Sequence, residues 1–162
     1  MGQDFDDFFR ENYPPVVGAL ALVLDSYDAA QDAAQHGFLQ ALKRWRKVNE
    51  MDNPVGWVFV VAVRFGRKTR TLPTGEVGET DLGEHSTQVI DRALLADAVD
   101  ELTPRQRSVF VLRHVAELST VEISEALGVT SSTVRVLDHQ ARARLRAVLG
   151  ADYDSEANTD AT

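Results

Sequence analysis

The groups in this 162-residue chain whose types and spacing could do chemistry gather between Ser119 and Arg146. Ser131 and Ser132 are followed by Arg135, His139 and Arg142, so small hydroxyls come first and longer basic groups follow at helical spacing. A guanidinium at 135 can fork onto guanine or a phosphate, the two serines can reach base edges or backbone oxygens, and His139 lies one turn further along the same face. Arg144 and Arg146 extend the positive strip. Catalysis finds no comparable constellation. His36, His85, His114 and His139 show no metal-ligand spacing, there is no glycine-rich phosphate loop, and the residue order gives no Ser-His-Asp arrangement. The sequence names no catalytic residue, no metal ligand and no cofactor, and the expectation is a protein that is not an enzyme.

Those basic groups need a scaffold, and the flanking residues supply one. Ser119-Thr120-Val121-Glu122 has the spacing of a capping box, which starts a short helix running to Leu127. Gly128 permits a left-handed turn, Val129 plugs the core, and Thr130 caps a longer helix with Val134, Leu137, Ala141, Leu145 and Val148 facing inward. Short helix, glycine turn and longer helix predict a helix-turn-helix. Upstream, Gln88 to Leu102 predicts a helix with Ile90, Leu94, Leu95, Ala98 and Leu102 on one stripe. Thr103-Pro104 then restarts the chain for Arg105 to His114, with Val109, Phe110 and Leu112 inward.

The first half is also helical. Phe5, Phe8 and Phe9 precede Tyr13 at helical spacing, and Pro14-Pro15 is expected to end or kink that helix, because neither ring leaves an amide hydrogen for the ladder. Asp28 to Trp45 places Ala30, Ala33, Ala34, Phe38, Ala41, Leu42 and Trp45 on one face. Asn53-Pro54 is a cap followed by a first-turn proline, and Trp57, Val58, Val61, Ala62 and Phe65 form the stripe of a helix ending in Arg67-Lys68-Thr69-Arg70. Both tryptophans sit on apolar stripes and read as core. No segment alternates with period two for more than a few residues, so the fold class is all-α.

Charge divides the chain. The total is −8, from 17 Lys and Arg against 25 Asp and Glu, which at face value repels phosphates. Residues 1–72 are balanced, with nine groups of each sign, whereas 73–102 carry eight acids against one base. Residues 103–150 hold seven arginines against four acids, and 151–162 hold four acids and no base. Residues 73–102 and the tail therefore supply more than the whole net charge. The reading is two small helical modules, 1–70 and 88–150, joined by an acidic flexible linker at 71–87 and followed by an acidic disordered tail at 151–162. The chain has no cysteine, which fits a reducing cytoplasm. Its longest apolar run, Val16 to Leu24, is about half the roughly 20 residues a membrane span needs, so no membrane insertion is expected.

At this level of detail the second half resembles the promoter-reading C-terminal domain of a sigma factor. The resemblance rests on Leu102-Thr103-Pro104-Arg105-Gln106-Arg107, Val111-Leu112-Arg113, Leu118-Ser119, Glu122-Ile123, Ala126-Leu127-Gly128-Val129 and Ser132-Thr133-Val134-Arg135. The extracytoplasmic-function (ECF) group also matches the first half: Asp32-Ala33-Ala34-Gln35, Phe38-Leu39-Gln40-Ala41 and Arg44-Trp45 resemble the helix that docks on the clamp of RNA polymerase, and Asn53-Pro54, Trp57 and Val61-Ala62 resemble the helix beside the −10 element. Carried over by position, Asp32, Gln35, Phe38 and Leu39 would face the polymerase. Arg46, Lys47, Asn53, Arg64, Arg67 and Lys68 would lie at the −10 region, and Ser131, Ser132, Arg135, His139 and Arg142 at the −35 element. The resemblance implies core RNA polymerase (clamp and flap), promoter DNA and an anti-sigma factor as partners, with the chain a monomer when free.

The sequence departs from the family pattern at Gln35-His36, at Ala62-Val63-Arg64, and in the recognition helix at Asp138 and Gln140, where an apolar and a basic residue are usual. Asp138 is expected either to face solvent or to weaken the fold. Two other readings compete. A helix-turn-helix regulator of the response-regulator type shares the Leu-Thr-x-Arg start and the Thr-Val-Arg of the second helix, but its receiver domain would require alternating strands. A degenerate sigma-like protein would bind polymerase or a regulator without initiating transcription.

Overall fold

The computed structural model describes residues 2–70 and 97–157, with side chains described up to 69 and over 97–150. Among the described residues every regular element is helical. The helices are α1 (Phe5–Leu24), α2 (Tyr27–Lys43), the single-turn α3 (Trp45–Val48), α4 (Pro54–Arg70), α5 (Pro104–His114), α6 (Thr120–Leu127) and α7 (Ser131–Ala157). Residues 97–100 are also helical. They belong to the expected Gln88 to Leu102 helix, whose Ile90, Leu94 and Leu95 lie outside the described residues, as does the linker at 71–87.

In the first module α2 is built from small residues where it meets α4. Ala30, Ala33, Ala34, Gly37 and Ala41 are all buried, and a Cβ on Gly37 would stand 2.9 Å from the Val58 carbonyl oxygen. The two backbones therefore approach more closely than any larger side chain allows. Phe38 fills the wider end, 5.7 Å from Phe8 and 5.2 Å from Phe9 between ring centroids. Trp45 packs on Phe5 and Phe8 at 5.2 and 4.8 Å, as its place on the apolar stripe suggested. A two-residue connection joins α1 to α2: Asp25 takes a left-handed backbone (φ 54°) and Ser26 caps α2 by accepting from the Ala29 amide at 3.1 Å.

The expected break at Pro14-Pro15 does not occur, for α1 runs through both prolines. The carbonyls that lose their partners are those of Arg10 and Glu11, four residues back, and both residues are exposed. Water can satisfy them, while the buried face from Val16 onward packs on α2 and α4 and offsets the cost. The tail also differs from expectation, since α7 continues to Ala157 and so extends past residue 150.

The second module starts each helix where the sequence placed it. Thr103 accepts from the Gln106 amide at 3.3 Å and Gln106 returns a bond to the Thr103 amide at 3.2 Å, a full capping box. Ser119 and Glu122 form another, at 3.1 and 3.2 Å. Gly128 has φ 67°, and Thr130 accepts from the Thr133 amide at 3.2 Å. A small core of Ala98, Leu102, Ala141 and Leu145 closes α7 against the 97–100 helix.

The two modules do not stay apart. Val109, Leu112, Leu118 and Ile123 belong to the same continuous core as Leu20, Leu24 and Val58. Helix α5 packs on α1, and α6 packs on α4.

Candidate nucleic-acid interface

Helix α7 presents its polar face to solvent. Ser132, Arg135 and His139 are exposed, and Ser131 is half-buried at the helix start. Val134 and Ala141 are buried on the opposite side, where they hold α7 against the rest of the module. Arg142 is exposed but not idle: its Nε donates to Asp138 Oδ2 at 3.2 Å. The other Asp138 oxygen lies 3.0 Å from His114 Nε2, and the carboxyl-bearing side chain is 14% exposed. Asp138 therefore neither points freely into water nor sits unpaired in the core. It ties the end of α5 to the middle of α7 through two polar partners, which is how a carboxylate can occupy a position that is otherwise apolar. Arg144 turns away from this face and pairs with Glu101 at 3.1 Å, so it does not extend the strip.

The residues expected at the −10 region fall into two groups. Arg46 and Lys47 on α3 and Lys68 on α4 are exposed. Asn53, Arg64 and Arg67 are engaged by the second module. Asn53 caps α4, its Oδ1 accepting from the Gly56 amide at 2.9 Å, while its Nδ2 donates to the Ala116 carbonyl at 3.1 Å. Arg67 Nη1 donates to the Ala126 carbonyl at 2.9 Å, in the last turn of α6, where the helix dipole favours a cation. Arg64 pairs with Glu125 at 3.5 Å. Arg107 and Asp25 close the far side of the seam at 3.8 Å. Its packing is incomplete, leaving a cleft of about 280 Å³ lined by Val23, Leu24, Arg67, Arg105, Leu127 and Leu137.

Of the four residues expected to meet the polymerase, Asp32, Gln35 and Leu39 are exposed on one side of α2. Phe38 is a correction: it is 2% exposed, held among the rings of α1, and has no surface to offer a partner. Leu42 is the converse. The sequence stripe turned it inward, but it is 50% exposed and continues the Leu39 side, because it leaves α2 about 100° round from the fully buried Ala41 and within about 20° of the exposed Gln35. His36 stacks on Phe65 with centroids 4.2 Å apart, and Val63 is fully buried, so both departures from the family pattern have packing roles. Val136, next to Arg135 on α7, is 54% exposed. Among the described residues no group of His, Asp and Glu could hold a metal ion, and no helix is long and apolar enough to cross a membrane.

A helix-turn-helix with an open outer face, docked on a second helical module, defines the class: an all-α, two-module protein of the helix-turn-helix type. Residues 8–66 match the family described as sigma-70 region 2, and residues 92–145 match sigma-70, region 4. The chain is 34% identical to the RNA polymerase sigma-E factor of Streptomyces coelicolor, over 97% of this chain and 94% of that protein. It is 33% identical to the protein of the same name from Streptomyces avermitilis, over 95% and 90%. Among solved structures it is similar in fold to the sigma factor RpoE of Bartonella quintana, co-crystallised with the anti-sigma factor NepR, with a TM-score of 0.61 and 19% identity over 92% of this chain and 98% of that one. The chain belongs to the ECF group of sigma-70-family RNA polymerase sigma factors, and its function is to direct promoter-specific initiation of transcription.

Proposed function

We propose that residues 1–70 form the module that grips the polymerase clamp and reads the −10 element, and that residues 88–150 read the −35 element through α7. Asp32, Gln35 and Leu39, joined by Leu42, meet the clamp. Ser132, Arg135 and His139 meet bases, and Arg142, aimed by Asp138, meets a phosphate. Arg46, Lys47 and Lys68 lie along the −10 strand, with Asn53, Arg64 and Arg67 joining them once the second module moves away. The chain acts in the cytoplasm and forms no bonds itself; phosphodiester chemistry stays with the polymerase. An anti-sigma factor that clasps the two modules together, as a partner for the free protein, is supported by the complex in which the Bartonella protein was crystallised.

The observation that carries this reading is the asymmetry of the compact state. The α7 face is open, while Asn53, Arg64 and Arg67 all bond to α6 or the turn before it. A promoter can thus be met at −35 first, and Asn53, Arg64 and Arg67 become available to the −10 strand only on opening. The test is run-off transcription with core polymerase on a promoter library. Arg135→Ala is expected to abolish dependence on the −35 sequence, and Lys47→Ala to slow melting at −10 with −35 selection intact. Gln35→Ala should weaken co-purification with the clamp subunit. Loss of −10 selection by Arg135→Ala, or of −35 selection by Lys47→Ala, would reverse the assignment of the modules.

A further inference from the structure

At about 100° of rotation per residue, Ser132, Val136, His139 and Ala143 leave α7 within about 40° of the direction opposite Val134. Val134 is buried and these four are exposed, so they form the centre line of the outward face. Arg142 and Arg146 run along one flank, and Arg135 leaves the same flank near the helix start, where its long side chain still reaches a base edge. A helix seated in the major groove brings its centre line to base edges and its flanks to phosphates. A hydroxyl, an isopropyl, an imidazole and a methyl group therefore face the bases.

Val136 gains nothing from the fold. It is 54% exposed, the inward positions are filled by Val134, Leu137, Ala141 and Leu145, and a β-branched residue lowers helix propensity. Its neighbours on the surface are Ser132, Arg135, His139 and Gln140, so it is not part of an apolar patch that a protein partner would bury. The group in the major groove that an isopropyl complements is the C5-methyl of thymine, the one alkyl group the base edges present there. We infer that Val136 is a specificity-determining residue that selects thymine at one position of the −35 element by contact with that methyl. This rests on α7 entering the major groove, as proposed above.

The test uses the full chain bound to core polymerase. The probe is a duplex pool randomised over the −35 window, followed by the enriched duplex with each −35 thymine replaced singly by deoxyuridine, which pairs identically but lacks the methyl. One such replacement is expected to weaken binding about four-fold, the value of one buried methyl. Val136→Ser should erase the thymine-over-uracil preference at that position and leave the others, while Val136→Ile preserves it. Both variants should melt with the parent, since the site is exposed. An enriched duplex without a uracil-sensitive position, or one whose sensitivity survives Val136→Ser, overturns the proposal. If Ser132→Ala and Arg135→Ala also leave selection unchanged, or the pool yields no enriched sequence, the placement of α7 at −35 fails as well.

Discussion

Reversing the charge of Glu125 should open the seam between the modules. The Arg64–Glu125 pair is 3.5 Å long with side chains 49% and 60% exposed, which puts it in the screened regime of about 0.2–1 kcal/mol. Glu125→Arg removes that attraction, adds a repulsion of similar size against Arg64, and adds another against Arg67, which donates to the neighbouring carbonyl of Ala126. The three effects together come to about 1.5 kcal/mol, or roughly a ten-fold fall in the ratio of closed to open molecules. The substitution should not harm the second module, because a cation in the last turn of α6 suits the helix dipole. Because the chain has no cysteine, Asp28→Cys and Ala147→Cys give two specific dye positions, one on each module and both exposed. Single-molecule energy transfer should show a larger low-transfer population for Glu125→Arg at low salt. At about 1 M salt, where the Debye length is about 3 Å, the difference should shrink, and Arg64→Glu on the same chain should restore the closed population. An unchanged population at low salt, or a change that persists at high salt, would refute the claim that these charges hold the seam.

Other outcomes follow from single side chains. Phe38→Ala should cost about 3–5 kcal/mol and be seen as a large fall in melting temperature, whereas Leu39→Ala should leave melting within about 0.5 kcal/mol and reduce polymerase affinity. Ser119→Ala removes the cap of α6 and should cost about 1 kcal/mol in chemical denaturation, with Thr103→Ala losing a similar amount at α5. Gly128→Ala forces a left-handed residue to carry a Cβ about 1–2 kcal/mol above its ease, and that atom would stand 3.1 Å from Arg67 Nη1, so both thermal stability and the closed population should fall.

The parts of this fold that were legible in the sequence are those fixed by neighbours a few residues away. Ser119 and Glu122, Thr130 before Ser131, and Asn53 before Pro54 each name a helix start, because the cap bond spans three residues and its chemistry is carried by side chains. The faces of α2 and α7 were largely legible for the same reason. Leu42 escaped because it sits at the edge of the apolar stripe, and periodicity gives the centre of a buried face but not how wide a sector the neighbouring helices cover. That α1 would not end at Pro14-Pro15 was not legible, because the local rule counts lost hydrogen bonds and cannot see that the orphaned carbonyls lie on the wet side of a helix whose other side is buried. Asp138 required knowing that His114, 24 residues away, reaches it. The seam was least legible, since its acceptors at Ala116 and Ala126 are backbone carbonyls and leave no trace in side-chain pattern.

That seam changes what the charge of −8 explains. Counted along the chain, the excess of acid sits in the linker and tail and predicts a free protein that meets DNA weakly. The structure adds a more local cause. Arg64 and Arg67 are held by α6, Arg142 by Asp138 and Arg144 by Glu101, so several of the basic groups on both modules already have partners before any phosphate arrives. These bonds are of different kinds. Arg142 is held within its own face through Nε alone and its side chain is still 46% exposed, so DNA can add to that interaction without breaking it. The bonds of Arg64 and Arg67 cross between modules and, on the function proposed above, would be exchanged for phosphates as the modules separate. Exchange of one set of hydrogen bonds for another is nearly balanced, so the opening is governed less by those arginines than by the apolar contact around Leu24 and Leu118 and by whatever binds the separated modules better. A polymerase clamp that engages the Leu39 side of α2 leaves the seam untouched; to drive opening, the enzyme must also hold the second module at a distance from the first.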